Sequence, residues 1–247
     1  MCTVVFAWQV FAGAPIAVAA NRDERLERDS RPPEVTGADP AILAPGDLQA
    51  GGTWMGVNEH RVFVGVTNRW LDRDLPDERS RGLLVRDVLG ASTAREGRSI
   101  AEMAVTEDSY DGFNLLVADR EDAWLLEWDG ALSTTTFEAG VHVVTNTGAD
   151  GRYDIPDSRE RAAREQAANV DRVRAELEPE PTEGALEWLD RGRAVLGDHN
   201  YGVCVHGDGY GTVSTSLIAV HDDGEIHYEY ADGPPCSTSF SRVDGHI

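Results

Sequence analysis

The sequence predicts a layered α+β fold, with strands at both ends of the chain and helices between them. Strand-like segments alternate with turns through the first half, long helical stretches follow within residues 157–196, and strand-like segments return after residue 200. This order suits separate groups of strands and helices better than a strict βαβ repeat. The 247 residues suffice for a sizeable core, so we expect a single domain over residues 1–247.

The predicted strands are segments rich in β-branched and aromatic residues, bounded by turn signals such as Gly51-Gly52 and Asp129-Gly130. Residues 1–20 could also be taken for a signal peptide, but no basic residue precedes Arg22, and we predict two strands joined by a turn at 13–15. No apolar run reaches the ~18 residues of a membrane span, so none is expected. The predicted strands cover residues 3–8, 15–20, 61–67, 113–118, 123–128, 141–145, 201–206, 213–221 and 225–230.

The clearest predicted helix begins just after Pro156 and ends before Pro179. Glu160 and Arg164 are spaced so that they would form an ion pair along one side of this helix. A second helix ends at Gly197, and residues 221–224 predict a hairpin turn between the last two strands. The predicted helices cover residues 81–89, 99–104, 157–177 and 182–196.

The chain is strongly acidic, with a formal net charge of −22, and all 22 of its basic residues are Arg. Nucleic acids and anionic membranes need clusters of positive charge, so neither is an expected partner. The acidic residues are spread over the whole chain, which favours the solvated surface of a halophilic protein. The other interpretation is a surface that repels anionic partners.

The three cysteines are too few for a disulfide framework and fit a reducing compartment, so we expect a cytoplasmic protein. Cys204 lies in an apolar segment and is interpreted as a small buried hydrophobic residue, whereas Cys236 receives no role. The seven histidines show no HExxH or paired-Cys spacing, so no metal and no cofactor are expected. The glycine-rich segment 207–211 precedes a strand and is predicted to be a turn.

Cys2 is the candidate nucleophile. A small residue at position 2 favours removal of Met1, which would give Cys2 a free α-amine beside its thiol. The amine, with a pKa of about 7.7–8.0, can accept the thiol proton without a separate histidine. Taken alone, a Cys at position 2 is better interpreted as an ordinary structural cysteine.

The segment Asn21-Arg22-Asp23-Glu24 supports the nucleophile interpretation. If strands 3–8 and 16–20 pair as a hairpin, these charged residues lie beside the start of the chain. A carboxylate near the α-amine and an Arg near the thiolate would hold both groups in place, and the thiol should then be partly ionised at neutral pH. The alternative is a charged surface loop.

Six segments, in order over residues 1 to about 220, make the chain resemble the NRDE family, also called the TANGO2-like family. That family is similar to N-terminal-nucleophile hydrolases, which have a four-layer αββα sandwich and cleave non-peptide C–N amide bonds. The resemblance therefore implies this fold and attack by Cys2 on a carbonyl. The segments are Met1-Cys2-Thr3, Ala20-Asn-Arg-Asp-Glu24, Gly51-Gly-Thr-Trp-Met-Gly56, Val66-Thr-Asn68, Gly112-Phe-Asn-Leu115 and Tyr210-Gly-Thr212.

The resemblance also implies roles for individual residues. Arg22 and Asp23 would orient the thiolate and the α-amine. Asn68 and Asn146, each after a Thr at a strand end, are candidates to hold the oxyanion, with turn capping as the alternative. Residues that could contact the substrate are Asn21 and Trp54, although Trp54 could also be a core residue beneath a glycine turn.

One position departs from the resemblance. Many relatives carry Arg directly after Tyr-Gly-Thr, where this chain has Val213. Two functions therefore stay open, both with a small-molecule partner. The first is hydrolysis or acyl transfer on amide or acyl substrates through Cys2. The second is a catalytically silent module that binds or carries a small hydrophobic ligand such as a lipid, acyl-CoA or haem. The oligomeric state is left open.

Overall fold

A computed structural model describes residues 2–247, so the predicted removal of Met1 lies outside the described residues. The chain forms two compact units. The first contains the chain up to Arg28 together with Ala139–Asp244, and the second contains Asp29–Glu138 with Gly245–Ile247. We expected a single domain over residues 1–247. This stays a prediction beside the two compact units into which the chain is divided.

The described residues form mainly antiparallel strands and a few helices. The strands are β1 Thr3–Phe11, β2 Ala14–Arg25, β3 Ser30–Thr36, β4 Ile42–Asp47, β5 Met55–Asn58, β6 Phe63–Asn68, β7 Phe113–Ala118, β8 Ala123–Trp128, β9 Leu132–Thr136, β10 Gly140–Thr145, β11 Gly148–Ala149, β12 Arg152–Tyr153, β13 Tyr210–Val220, β14 Ile226–Ala231 and β15 Ser241–Arg242. The α-helices are α1 Arg81–Val88, α2 Ala94–Glu107, α3 Glu160–Glu176 and α4 Ala185–Gly197, and short 3₁₀ turns occupy Asp157–Arg159 and His199–Tyr201.

The first unit is built on an eight-stranded sheet in the order β12-β11-β10-β1-β2-β13-β14-β15. All its pairings are antiparallel, and β1 lies near the centre as expected for the first strand. Alternate residues of β1 and β2, such as Val5 and Ala17, pack with α3 and α4 in one buried cluster. Trp188 of α4 is fully buried there, and its indole nitrogen donates to the carbonyl of Leu177 at 2.8 Å.

The second unit is built on a seven-stranded antiparallel sheet in the order β3-β4-β5-β6-β7-β8-β9. Helices α1 and α2 bury their apolar side chains, among them Leu84 and Val88, against β6, β7 and β8. The turn predicted at Gly51-Gly52 allows a close approach of two backbones. A Cβ at Gly52 would lie 2.2 Å from the carbonyl carbon of Gly82, so only glycine fits there.

Most of the predicted elements are confirmed. Strands β7 and β8 begin and end at the predicted residues, and the first two strands form the predicted hairpin, with Gly13 at a φ of +76° in its turn. Strands β3, β4, β5 and β9 and the two-residue strands β11, β12 and β15 were not predicted. The sequence of β3 contains two prolines and mostly polar residues, and β9 is largely exposed, so neither carries an apolar alternation. No helix among residues 2–247 is long and apolar enough to cross a membrane.

The strand predicted at 201–206 is wrong. A 3₁₀ turn covers His199–Tyr201, Gly202 adopts a left-handed φ of +67°, and only His206 forms an isolated bridge, to Gly211. Side chains replace strand partners along this segment: Asn21 binds the carbonyl of Val203. Cys204 is buried as expected, but in irregular backbone rather than in a strand.

Candidate functional site

The hairpin of β1 and β2 brings Cys2 to the charged motif. Thr3 pairs with Asn21 and Val4 with Ala20, so the chain before β1 runs alongside residues 22–23. The half-buried Cys2 has its Sγ 3.7 Å from the carbonyl oxygen of Asp23, within the range of a sulfur hydrogen bond. The predicted proximity of Cys2 to the Arg22-Asp23 pair therefore has a defined contact.

The strand on the other side of β1 supplies Asn146. Val4 pairs with Val144 of β10, and Asn146 lies in the tight turn between β10 and β11. The backbone nitrogen of Cys2 donates to Asn146 Oδ1 at 3.1 Å. Glycine is required in this turn, because Gly148 has a φ of +127° and a Cβ there would lie 2.3 Å from the carbonyl oxygen of Arg152.

Helix α3 holds Asn146 from its other side. The buried Gln166 donates through Nε2 to the same Oδ1 of Asn146 at 3.1 Å. Two donors on one oxygen fix the orientation of the amide, so that its carbonyl end faces Cys2 and Gln166. Sequence reasoning gave Gln166 no role, because a single Gln in an amphipathic helix carries no motif.

Strand β13 lies along the other edge of the motif and contains a β-bulge. Thr212 pairs with Asp23 and Ser214 with Arg22, and the register shifts between them, which makes Val213 the extra residue. Thr212 Oγ1 donates to Asp23 Oδ1 at 2.5 Å, and the Tyr210 hydroxyl donates to the Asp23 carbonyl at 3.0 Å. The Tyr210-Gly-Thr212 segment marked this place in the sequence without indicating these contacts.

Burial dominates the electrostatics of the site. It raises the pKa of the Cys2 thiol, and the charge of Asp23 acts in the same direction, while the charge of Arg22 opposes both. The expected partial ionisation of the thiol concerns the chain without Met1, so it stays a prediction. Burial also raises the pKa of Asp23 to about 6, against the hydrogen bond from Thr212, which favours the carboxylate.

The predicted substrate contact at Asn21 does not fit the geometry. Its side chain is only 2% exposed. Its Nδ2 donates to the carbonyls of Leu196 at 3.1 Å and Val203 at 2.9 Å, while Thr215 donates to its Oδ1 at 2.7 Å. Every polar atom of this amide is thus used to connect β2 with the segment after α4 and with β13, which is a structural role.

Asn68 and Trp54 belong to the second unit. Asn68 is the exposed last residue of β6, paired in register with Phe113. Trp54 is half-buried just before β5, and its carbonyl accepts a hydrogen bond from the backbone of Val66 at 2.9 Å. Their assigned roles, oxyanion binding for Asn68 and substrate contact for Trp54, stay predictions.

Two solved structures share the fold of this chain. The chain is similar to a Caenorhabditis elegans ortholog of N-acylethanolamine-hydrolyzing acid amidase, with a TM-score of 0.56 and 12% identity, covering 88% of this chain and 92% of that one. It is also similar to a variant of conjugated bile acid hydrolase from Clostridium perfringens, with a TM-score of 0.50 and 10% identity, covering 100% and 97%. These likenesses confirm the predicted fold class, the α+β sandwich of N-terminal-nucleophile hydrolases with its αββα layers.

Sequence comparison then gives the family. The chain belongs to the Transport and Golgi organisation 2 family, whose sequence profile matches residues 1–230. The Bos taurus Transport and Golgi organization protein 2 homolog is 26% identical over 242 residues, covering 86% of this chain and 84% of that protein. The Mus musculus homolog is 35% identical over 108 residues, covering 42% of this chain and 38% of that protein.

Proposed function

We propose that Cys2 is the nucleophile of an acyl-transfer reaction in which the acyl group of a small, non-peptide amide is transferred to water or to another acceptor. The observation that carries this proposal is the double anchoring of Cys2. Its backbone nitrogen donates to Asn146 Oδ1 at 3.1 Å, and its Sγ lies 3.7 Å from the Asp23 carbonyl. The substrate class follows the names of the two structural neighbours, an amidase and a hydrolase of conjugated bile acids.

The proposal requires that the residue before Cys2 be removed. The backbone nitrogen then becomes an α-amine at a position where Asn146 Oδ1 already accepts a hydrogen bond. Burial opposes ionisation of the thiol and raises its pKa. We therefore assign the activation to proton transfer from Sγ to the α-amine during attack.

The thiol and the α-amine of Cys2 carry all the proton transfers of the reaction. As Sγ adds to the substrate carbonyl, its proton passes to the α-amine, and Arg22 and Asn146 stabilise the negative oxygen of the intermediate. The C–N bond then breaks, and the departing amine takes the proton from the α-ammonium, which leaves a thioester on Sγ. Water attacks the thioester, its proton returns through the α-amine to the thiolate, and the carboxylic acid is released.

The uncharged Val213 leads us to expect slow turnover. Its half-buried side chain stands at the bulge between the residues that pair with Asp23 and Arg22. A valine there supplies no charge, so we assign stabilisation of the developing oxyanion to Arg22, which pairs with Ser214. The same observation supports the second candidate, a member of the family that keeps the fold and binds a small hydrophobic ligand without turning it over.

Turnover of fluorogenic N-acyl amides with acyl chains of different lengths tests the proposal. The N-terminus is first sequenced, to establish that the sample begins at Cys2. We expect slow release of the fluorophore by the wild type, a slower rate for Cys2→Ser and only the buffer rate for Cys2→Ala. Equal rates for wild type and Cys2→Ala contradict the nucleophile. A processed chain that binds these amides but releases nothing contradicts the enzyme and supports the binding module.

A further inference from the structure

Four side chains with nitrogen and sulfur donors converge near the end of α4. They are His199, Cys204, His206 and Cys236, and their donor atoms all lie within 4.8 Å of one another. The sulfur atoms of Cys204 and Cys236 lie 3.4 Å and 3.3 Å from the same atom, His206 Nε2. The rings of His199 and His206 meet edge to face, with their centroids 5.0 Å apart.

The two sulfur–nitrogen distances at His206 fit the edges of a tetrahedral metal centre. With Zn–S bonds of about 2.3 Å and Zn–N bonds of about 2.0–2.1 Å, donors at the corners of a tetrahedron lie roughly 3.3–3.8 Å apart. The two S–N distances at His206 already have such values. Two thiolates and two imidazoles form a donor set that zinc prefers, whereas Mg²⁺ and Ca²⁺ require oxygen ligands.

The backbone brings the four residues together from two segments, the one that follows α4 and the loop of Cys236. His199 begins the 3₁₀ turn that follows α4, and the left-handed Gly202 redirects the chain so that Cys204 and His206 follow closely. Cys236 lies in a turn in which the backbone nitrogens of Ser237 and Thr238 both donate to the Pro234 carbonyl. This turn lies against α4, because a Cβ at Gly197 would contact the Cys236 backbone nitrogen at 3.4 Å.

We propose that His199, Cys204, His206 and Cys236 bind one Zn²⁺ in a closed, structural Cys₂His₂ site. Four protein ligands leave no open position for substrate or water, so the site has no catalytic role of its own. It ties the loop of Cys236 to the segment after α4. This proposal replaces the expectation that the chain has no metal site, and it does not depend on the chemistry of Cys2.

The site would also stiffen the surroundings of the charged motif. The segment it holds passes Asn21, which binds the carbonyl of Val203, and the backbone nitrogen of Val205 donates to Thr212 Oγ1 at 2.9 Å. Thr212 in turn donates to Asp23. Metal binding would therefore fix the backbone of Val205, which lies between two of the ligands. Two hydrogen bonds, through Thr212 Oγ1, connect that backbone to the Asp23 carboxylate.

Metal content and cobalt substitution test the site. The chain is purified under reducing conditions without chelator, and elemental analysis should give about one zinc per chain. After removal of the metal, added Co²⁺ should give the intense visible bands of tetrahedral cobalt and a thiolate-to-cobalt charge-transfer band. Cys236→Ser should weaken Co²⁺ binding by at least about 100-fold, more than the loss of an outer hydrogen-bond partner causes.

Two matched controls separate ligation from other effects. Cys2→Ser removes the third thiol and His60→Asn removes an exposed histidine of the second unit, and both should keep the cobalt spectrum. If Cys236→Ser does not fold, His206→Asn at an exposed ligand serves instead and should lose the spectrum. The proposal is overturned if the reduced chain binds neither Zn²⁺ nor Co²⁺, if the spectrum survives both ligand substitutions, or if Cys204 and Cys236 form a disulfide in the reduced preparation.

Discussion

The three thiols of this chain lie in two kinds of surroundings within one compact unit. Cys2 is half-buried at the start of a central strand, with its sulfur on a backbone carbonyl and its nitrogen on an amide oxygen. Cys204 and Cys236 are near an imidazole, each with its sulfur within 3.4 Å of His206 Nε2. In the first environment, the nitrogen that must accept the thiol proton lies beside the thiol. The second brings four donors to a common centre.

Whether a cysteine acts as a nucleophile or as a metal ligand depends on the groups around it rather than on the cysteine itself. A nucleophile needs a proton acceptor and a donor for the developing negative charge, whereas a structural metal ligand needs three further donors at tetrahedral spacing. Substitutions at one site should therefore change acylation, and substitutions at the other should change metal content. Metal content measured beside acylation in one preparation tests whether the two sites are separate.

Asn146→Ala should have the largest effect. Loss of an oxyanion donor costs about 10²–10³ in kcat, and this substitution also removes the acceptor of the Cys2 nitrogen. We expect the rate of Cys2 acylation to fall by at least about 100-fold while the zinc content stays at the wild-type value. The measurements are acylation kinetics and elemental analysis of the same preparation. A parallel loss of metal would show that the two sites are not independent.

Gln166→Ala should have a smaller effect in the same direction. The side chain positions Asn146 through one hydrogen bond, whose net contribution is about 0.5–1.5 kcal/mol, so we expect at most about a tenfold fall in kcat. KM should be unchanged, because Gln166 acts through Asn146 and not on the substrate. The exposed neighbour Glu165→Ala is the matched control on the same helix. A rise in KM with constant kcat would argue against the positioning role.

Asp23→Asn should stabilise the chain at neutral pH. Burial raises the pKa of Asp23 from 3.8 to about 6, so the folded state holds this proton more tightly than the unfolded chain. The contribution of Asp23 therefore favours folding below about pH 4 and is lost as the pH rises through about 6. At pH 7.5, Asn removes a buried charge and keeps the acceptor for Thr212, and the gain can reach about 3 kcal/mol.

Denaturant unfolding at pH 7.5 and pH 4 measures this gain. The increase in the free energy of unfolding should be present at pH 7.5 and absent at pH 4, and acylation at Cys2 should fall at the same time. Asp223→Asn, at an exposed turn position where Asn also keeps the acceptor, should change neither. An equal gain at both pH values would contradict the assignment to the Asp23 carboxyl group.

Salt should have the smallest and least local effect. The charge of −22 implies self-repulsion that molar salt screens, since the Debye length falls from about 30 Å at 0.01 M to about 3 Å at 1 M. We expect the melting temperature to rise with NaCl or KCl in the wild type and in both sets of variants alike. A melting temperature that is flat or falls with salt would contradict the halophilic interpretation.

The sequence was informative wherever the pairing was local. A short turn fixes the register of β1 and β2, so the apolar pattern of residues 3–20 was enough to place Cys2 beside Arg22 and Asp23. Asn146 was proposed from the family resemblance, together with its position after a Thr at the end of a strand. The same reasoning misjudged Asn21, because a polar residue in a motif gives no sign of whether it faces a substrate or the backbone carbonyls of Leu196 and Val203.

The metal cluster could not be predicted because its geometry is entirely tertiary. His206 and Cys236 are 30 residues apart, with two strands between them, and the local spacing of His199, Cys204 and His206 matches no common metal motif. The apolar run around Cys204 predicted a strand. Instead of a strand, the positive φ of Gly202, the hydrogen bond that Asn21 donates to Val203 and the one that Thr212 accepts from Val205 give an irregular segment that brings the ligands together.

Trapping of the acyl intermediate tests the central claim most directly. The processed chain and its Cys2→Ala variant are incubated with an activated acyl donor, quenched in acid and mapped by peptide mass spectrometry. Chain unfolded in urea serves as the control for the intrinsic reactivity of an N-terminal cysteine. We predict acylation of the peptide that begins at Cys2, faster in the folded than in the unfolded chain, no acylation of the same peptide in Cys2→Ala, and unmodified Cys204 and Cys236. Equal labelling of wild type and Cys2→Ala, or equal rates in folded and unfolded chains, would contradict Cys2 as the nucleophile of a built site.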